Sequence, residues 1–211
     1  EARCVVLTGS GRAFCSGQDL GDAGAAADLE ATLRDEYEPM LRAITGCRAP
    51  VIAAVNGVAA GAGANLALAA DVVIAAEGAS FIQAFTRIGL VPDAGGTFII
   101  PRAIGAARAM GMMLFADAIP ARQAADWGLI WDAVADADFA EEVAARARKL
   151  AQGPTGAYLS IRHALAAAFC NDMETQLALE ARLQGEAGRS ADFREGVAAF
   201  LEKRPARFIG R

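Results

Sequence analysis

Residues 51–70 read VIAAVNGVAAGAGANLALAA, and this uncharged segment sets the architecture of the chain. Its first five residues are apolar and mostly β-branched, which predicts a buried strand over 51–55. Glycines at positions 57, 61 and 63 follow, and then an alanine- and leucine-rich helical run. A strand that passes through glycines into a helix directs free backbone N–H groups and the positive end of the helix dipole to one point. The segment therefore predicts an anion-stabilising pocket.

Asp93 lies in the turn sequence VPDAGGT, residues 91–97. A carboxylate between a proline and a Gly-Gly pair is held by turn chemistry, which favours an acid/base group facing the pocket. The alternative is that Asp93 caps the helix that follows. Asn65 leaves two interpretations as well, because its amide can point into the pocket or bond to backbone near the helix start.

The composition limits the classes of protein to be considered. The chain has 211 residues, is 55% hydrophobic and carries a net charge of −5, which argues against a nucleic-acid partner. A single histidine, His163, excludes a multi-histidine metal site, and we expect no metal. The four cysteines have no CxxC spacing, so we expect free thiols in a reducing compartment and a cytoplasmic location.

Two familiar motifs occur in weak form. The uncharged run contains a GxxxG at Gly57 and Gly61, typical of membrane helices, but Pro50, Asn56 and Asn65 argue against a membrane span. The sequence GSG at 9–11 lacks the third glycine of a dinucleotide fingerprint. Residues 10–20 are therefore interpreted as a loop that either lines a ligand or is a polar connection.

The remaining pattern predicts a strand-rich core over residues 1–135 and a helical region over 136–211. Residues 4–8 form a core strand, so either a preceding strand is missing from this sequence or the fold begins mid-sheet. We expect a helix over 27–45, a mobile segment at 21–26 before it, and strands at 71–76, 79–81 and 130–134. Further helices are predicted after residue 97, with breaks near Pro101 and Gly105, and from Pro120. The C-terminal helices are predicted at about 138–151, 154–168, 173–188 and 191–202.

Five blocks in order resemble the crotonase superfamily of enoyl-CoA hydratases and isomerases. They are RAFCSGQDL (12–20), the segment 51–71, FIQAF with IGLVPDAGGT (81–97), AADWGLI (124–130) and GRSADFREGVAAFLEKRPARF (188–208). The Asp93 block and the last block are similar, more narrowly, to members that isomerise ring-1,2-epoxyphenylacetyl-CoA in phenylacetate catabolism.

This resemblance implies an α/β fold with a ββα-spiral core, and a helical C-terminal region that builds homotrimers, often paired into hexamers. It implies an acyl-CoA thioester substrate, with coenzyme A part of that substrate and no separate cofactor. The backbone N–H groups of Gln18 and Ala62 would bind the thioester oxygen, and Ala13 and Ser16 would lie along the coenzyme. Further substrate-binding positions implied by the blocks are Asp19, Gly61, Gly63, Asn65, Phe85, Pro92 and Gly95.

The resemblance also bears on the reaction. The two glutamates that add water in the hydratases fall at Asn65 and Phe85, and neither residue can act as a general base. Asp93 remains as the carboxylate, and one carboxylate suffices to move a proton between two carbons. We therefore expect an isomerase. The alternatives are a hydratase or related CoA-thioester hydrolase, and a non-catalytic acyl-CoA-binding subunit.

Overall fold

The computed structural model describes residues 2–19, 21 and 28–211, which fall into two compact units. The first, called the sheet unit here, comprises the described residues of Val6–Cys47 together with Val51–Ala144. The second, the helical unit, comprises the described part of Glu1–Val5, Arg48–Pro50 and Ala145–Arg211. The predicted mobile segment at 21–26 lies outside the described residues except for Gly21.

The described residues form two four-stranded sheets, and the strands alternate between them from β1 to β6, after which β7 joins the second sheet and β8 the first. The first has the order β1-β3-β5-β8 and the second β2-β4-β6-β7. Each successive strand pair thus adds one strand to both sheets, which is the ββα spiral that the resemblance implies. The strands are β1 Val5–Thr8, β2 Ala13–Cys15, β3 Val51–Val55, β4 Val58–Ala60, β5 Val72–Ala76, β6 Ser80–Ile82, β7 Ile119–Pro120 and β8 Asp132–Val134.

Strand β3 is the centre of the first sheet, and all five of its residues are buried. It pairs in parallel with β5, with Ile52 opposite Val72, and β5 pairs in parallel with β8. A strand covered on both faces needs a continuous apolar run rather than an alternating pattern, and this is the sequence of residues 51–55. The predicted strand at that position is confirmed.

Helices and single turns connect the strands of the sheet unit. They are α1 Leu29–Thr32, a π-helical stretch Leu33–Tyr37, α2 Glu38–Thr45, α3 Ala62–Leu68, a 3-10 stretch Ala84–Ile88, α4 Gly96–Phe115 and α5 Ala121–Asp126. The single helix expected over 27–45 is therefore interrupted by a π-helical stretch. Helix α4 breaks at Gly105, where φ is 78° and ψ is 159°, whereas Pro101 stays inside the helix.

Strands β2 and β4 were not predicted, because residues 10–20 were interpreted as a loop and residues 57–63 as a glycine turn. Each strand has only three residues, too few to show a period of two. They form because they pair with each other in parallel, with Ala13 opposite Val58. Pairing between segments so far apart in the chain leaves no local sequence pattern.

Residues 138–202 contain four helices in the described structure, as the periodicity predicted. They are α6 Phe139–Gln152, α7 Thr155–Ala168, α8 Met173–Gly188 and α9 Ala191–Glu202. Asp172 caps α8 by accepting a hydrogen bond from the Thr175 amide at 2.8 Å. Ser190 caps α9 by accepting one from the Phe193 amide at 2.9 Å. Both caps satisfy amides that have no acceptor within their helix.

One described helix, α4, is long and apolar enough to cross a membrane by length and composition alone. Because its backbone leaves the helical conformation at Gly105, neither half reaches the roughly 20 residues that a span requires. The segment considered as a membrane helix in the sequence, residues 49–70, instead forms β3, β4 and α3.

Candidate active site

A cavity of about 380 Å³ opens in the sheet unit and contains Asp93 in its wall. Its other predicted wall residues are Ser16, Gln18, Gly61, Ala62 and Phe85. Most of the rest of the wall is apolar, with Tyr37 and Arg87 as further polar members. The remaining lining residues are Gly17, Leu29, Thr32, Leu33, Ala84, Ile88, Leu90 and Val91.

The two backbone amides expected to bind an oxygen lie on neighbouring segments of this wall. Ala62 is the first residue of α3, so its N–H has no acceptor within the helix. Gly17, which precedes Gln18, has a φ of +91°, and a Cβ there would lie 2.9 Å from the Ala60 oxygen and 3.5 Å from the Ala62 nitrogen. The loop of Gln18 therefore packs directly on the start of α3, and only glycine fits at position 17.

Asp93 presents an unsatisfied carboxylate oxygen. The side chain is half-buried, and its Oδ1 is buried without a hydrogen-bond partner among the described residues. Burial raises the pKa of Asp93 above its ordinary value, and a hydrogen bond from its own backbone amide opposes that rise. A carboxylate with a raised pKa is suited to taking up and returning a proton.

The capping role considered for Asp93 is wrong. Helix α4 is preceded by Gly95, and no side-chain cap is present there. The Gly96 amide donates to the backbone carbonyl of Asp93 at 2.8 Å, not to its carboxylate. The side chain is thereby left for the cavity.

Asn65 does not line the cavity, so its prediction as a substrate-binding residue is corrected. It is fully buried: its Nδ2 donates to the Asp93 carbonyl at 2.9 Å, and its Oδ1 accepts from Gln83 Nε2 at 2.8 Å. A Cβ at Gly96 would come within 2.4 Å of Asn65 Nδ2. Asn65 thus takes the second of the two roles considered, bonding backbone, and it holds the turn that carries Asp93.

Five other predicted substrate-binding residues do not line this cavity. Ala13 lies in β2 opposite Val58, and Asp19 is exposed and accepts a hydrogen bond from the Gly21 amide at 2.8 Å. Gly63 lines a neighbouring cavity of about 250 Å³. Pro92 and Gly95 flank the Asp93 turn. Their contact with a substrate stays a prediction.

Tyr37 and Arg87 were missed as wall residues by the sequence interpretation. Tyr37 follows Leu29 and Leu33 at spacings of four, which identifies a helix face but not the cavity that the face closes. Arg87 donates from a guanidinium nitrogen to the Ala116 carbonyl at 2.5 Å. Arg87 lies between the blocks 81–85 and 88–97, but neither block includes Arg87 itself, and no block covers Tyr37.

Among the described residues, no group of three or more His, Cys, Asp or Glu side chains is arranged to hold a metal ion. The four cysteines all lie in the described part of the chain, and none of them forms a disulfide there.

Comparison with known proteins defines the class to which this site belongs. The enoyl-CoA hydratase/isomerase family matches residues 1–211, and the chain belongs to that family. Its fold is therefore the one that the resemblance implied, including the helical C-terminal region.

Three relatives place the chain within the family. A protein of Rhodobacter capsulatus described as a probable enoyl-CoA hydratase is 66% identical over 100% of this chain and 82% of its own length. The 1,2-epoxyphenylacetyl-CoA isomerase of Escherichia coli is 50% identical over 99% of this chain and 82% of its own. The crystal structure of an enoyl-CoA hydratase from Bacillus anthracis superposes with a TM-score of 0.90 at 34% identity, covering 99% of this chain and 82% of the other.

Proposed function

We propose that this protein is an acyl-CoA isomerase in which Asp93 moves a proton between two carbons of the acyl group. The observation that carries the proposal is the Asp93 oxygen Oδ1, which has no hydrogen-bond partner among the described residues and belongs to the wall that also contains Gln18 and Ala62. Asp93 is the one carboxylate among the described lining residues. The substrate class is a coenzyme A thioester, because members of the family are named for such substrates.

The chemistry follows from the parts. The Gln18 and Ala62 N–H groups donate to the thioester oxygen, and each donor contributes about 3 kcal/mol to stabilising the negative charge that develops there. Asp93 takes a proton from the α-carbon, and the electron pair of that C–H bond delocalises onto the oxygen. With a 3-enoyl thioester the anion extends to the γ-carbon. Asp93 then returns the proton to the γ-carbon, which gives the 2-enoyl product with no atom gained or lost.

The ring-epoxide substrate is the finer part of the proposal. The Escherichia coli relative, 50% identical, is named for 1,2-epoxyphenylacetyl-CoA, and the cavity wall here is largely apolar, as an aromatic ring requires. In this reaction Asp93 would assist ring opening to the oxepin, an isomer of the epoxide.

A hydratase is the second candidate, because the relative at 66% identity is described as a probable enoyl-CoA hydratase. Water addition needs a group that activates water. At the two positions of the family glutamates, Asn65 has both ends of its amide occupied and Phe85 is a buried hydrocarbon. Those two residues therefore favour the isomerase.

We also propose that the chain works as a homotrimer, with a dimer of trimers as the further possibility, in the cytoplasm. Exposed apolar side chains on the helical unit support an interface, since monomers rarely expose such groups together. They include Phe169, Met173, Phe200 and Leu201, exposed by 63%, 74%, 82% and 73%.

Steady-state kinetics on the wild type and Asp93→Asn test the reaction. The substrates are a 3-enoyl-CoA, a 2-enoyl-CoA and the ring epoxide of phenylacetyl-CoA. We expect the wild type to isomerise the 3-enoyl or epoxide thioester, with little hydration of the 2-enoyl thioester. Asp93→Asn should lower that turnover about a thousandfold, because the variant has no general base.

Undiminished turnover by Asp93→Asn would contradict the role of Asp93. Hydration faster than isomerisation would favour the hydratase, and thioester binding without any turnover would favour a binding subunit. A thermal-shift panel of acyl-CoA thioesters then identifies the acyl group, because at equal concentration a ligand that binds the native state more tightly raises the melting temperature further.

A further inference from the structure

Tyr37 occupies the cavity wall because of a local irregularity in its helix. It is the last residue of the π-helical stretch Leu33–Tyr37, where the Glu38 amide donates to the Leu33 carbonyl. A π turn accommodates one residue more than an α turn and rotates the side chains that follow it. Tyr37 is half-buried. It lines both this cavity and the neighbouring cavity of about 250 Å³.

The hydroxyl of Tyr37 donates a hydrogen bond to the side-chain oxygen Oε1 of Gln18. Burial raises the pKa of Tyr37, and the charge of Asp93 raises it further, with smaller effects from Cys15 and Glu36. The phenol therefore stays protonated near neutral pH and remains a donor. Tyr37 and Asp93 both line the same cavity.

We propose that Tyr37 is a positioning residue, which holds the Gln18 side chain so that the Gln18 backbone N–H stays directed at the thioester oxygen. The inference rests on the proposed function, because it assigns Gln18 to the oxyanion hole. Gln18 follows Gly17, whose left-handed backbone lies close to the Ala60 carbonyl and the Ala62 nitrogen. The hydrogen bond from Tyr37, on the neighbouring helical segment, adds a constraint on the Gln18 side chain itself.

Matched variants separate this role from simple packing. Tyr37→Phe keeps the ring and removes the donor, Gln18→Met keeps the backbone N–H and removes the acceptor, and the double variant removes both. Tyr158→Phe in the helical unit is the control, because it makes the same chemical change in the other tyrosine of the chain. Two quantities are measured: kcat and KM on the 3-enoyl-CoA, and the carbonyl stretching frequency of bound, carbonyl-labelled butyryl-CoA.

We expect Tyr37→Phe and Gln18→Met each to lower kcat about tenfold with KM close to that of the wild type, since misalignment of one donor costs transition-state stabilisation. The double variant should be no worse than the poorer single variant. Binding should lower the carbonyl frequency less in these variants than in the wild type and in Tyr158→Phe.

Wild-type kcat and carbonyl frequency in Tyr37→Phe would overturn the inference, as would effects that multiply in the double variant. The carbonyl frequency involves no proton transfer, so it reports on the Gln18 donor even if Asp93→Asn retains turnover. Retained turnover in Asp93→Asn refutes the proposed function, whereas an unchanged frequency in Tyr37→Phe refutes only the role of Tyr37.

Discussion

Asp93 and Asn65 show how single residues share the work at this site. Asp93 supplies the carboxylate, whose Oδ1 has no partner among the described residues. Asn65 fixes the backbone beneath it by donating to the Asp93 carbonyl, and Gln83 in turn donates to Asn65. The side-chain amides of Asn65 and Gln83 fix the position of the Asp93 carboxylate. Its burial raises the pH at which it becomes protonated.

The pKa of Asp93 should be visible in both rate and stability. Because burial raises it above 3.8, the acid limb of kcat/KM should fall at a pH above that value, where the base becomes protonated.

Ionisation of a group whose folded-state pKa is raised costs stability. That cost is absent below 3.8, grows as pH rises through the raised pKa and is complete above it.

Asp93→Asn should therefore melt at a higher temperature than the wild type at neutral pH, with the difference shrinking as pH falls through the raised pKa and vanishing below 3.8. Thermal unfolding of both proteins across this pH range measures it. A difference in melting temperature that does not vary with pH would contradict this account of the carboxylate.

Asn65→Leu should lower both stability and kcat. The change leaves the Gln83 amide without its acceptor, and a buried group that loses its partner costs about 1–3 kcal/mol. It also removes one of the two hydrogen bonds to the Asp93 carbonyl, the one from Asn65, and leaves the one from the Gly96 amide. The Asp93 turn also loses its fixed position, so kcat should fall while thioester affinity changes less. Denaturant unfolding and steady-state kinetics measure the two effects.

Asn171→Leu is the matched control for Asn65→Leu, because Asn171 is also hydrogen-bonded to a glutamine, donating to Gln176 Oε1 at 2.9 Å, but lies in the helical unit. It should leave kcat unchanged. Wild-type kcat in Asn65→Leu would show that the turn needs no support from this side chain.

At the scale of elements, the sequence predicts what local interactions decide. The four C-terminal helices follow from apolar spacing and from caps such as Asp172, and β3 follows from five buried residues in a row. Strands β2 and β4 escape prediction because they form through pairing with segments distant in sequence, β2 with β4 and β4 also with β6. Tyr37 was not predicted as a site residue for a similar reason: it ends a π-helical stretch, and its hydroxyl bonds to Gln18 in a separate loop.

The loop that carries Gln18 provides a prediction at this scale. Gly17→Ala should lower kcat about a hundredfold, because a Cβ 2.9 Å from the Ala60 oxygen displaces the loop and its oxyanion donor. Gly11→Ala is the control: Gly11 has a φ of +79° and no atom within 4 Å of the added Cβ. It should cost about 1 kcal/mol of stability from the left-handed backbone and leave kcat unchanged.

Equal kcat in the two glycine variants would show that close packing at Gly17 is not what directs the amide. Circular dichroism and denaturant unfolding confirm that both variants are folded before their rates are compared.

At the scale of the whole molecule, the family and its fold were identified from the order of five sequence blocks, which the match over residues 1–211 confirms. The acyl group of the substrate was not identified from the sequence, because Leu29, Leu33 and Val91 form an apolar wall that suits aromatic and fatty acyl groups alike. Assembly was inferred from the family and is supported by the exposed apolar side chains of the helical unit.

Assembly yields a prediction of its own. We expect sedimentation equilibrium to give three or six times the mass of one chain. Phe200→Glu should shift the protein toward smaller species, because Phe200 is 82% exposed in the isolated chain and a charge buried at an interface is costly. Lys149→Glu, at an exposed position on α6, should leave the mass unchanged. A monomeric wild type would contradict the proposed trimer.

The central claim is that Asp93 carries the proton, and hydrogen exchange tests it without depending on which acyl group is natural. A 3-enoyl-CoA is incubated with the protein in deuterated water, and proton NMR follows deuterium at the α- and γ-carbons. We predict solvent deuterium at these carbons with the wild type, and a rate about a thousandfold lower with Asp93→Asn. Exchange at the wild-type rate in Asp93→Asn would contradict the claim.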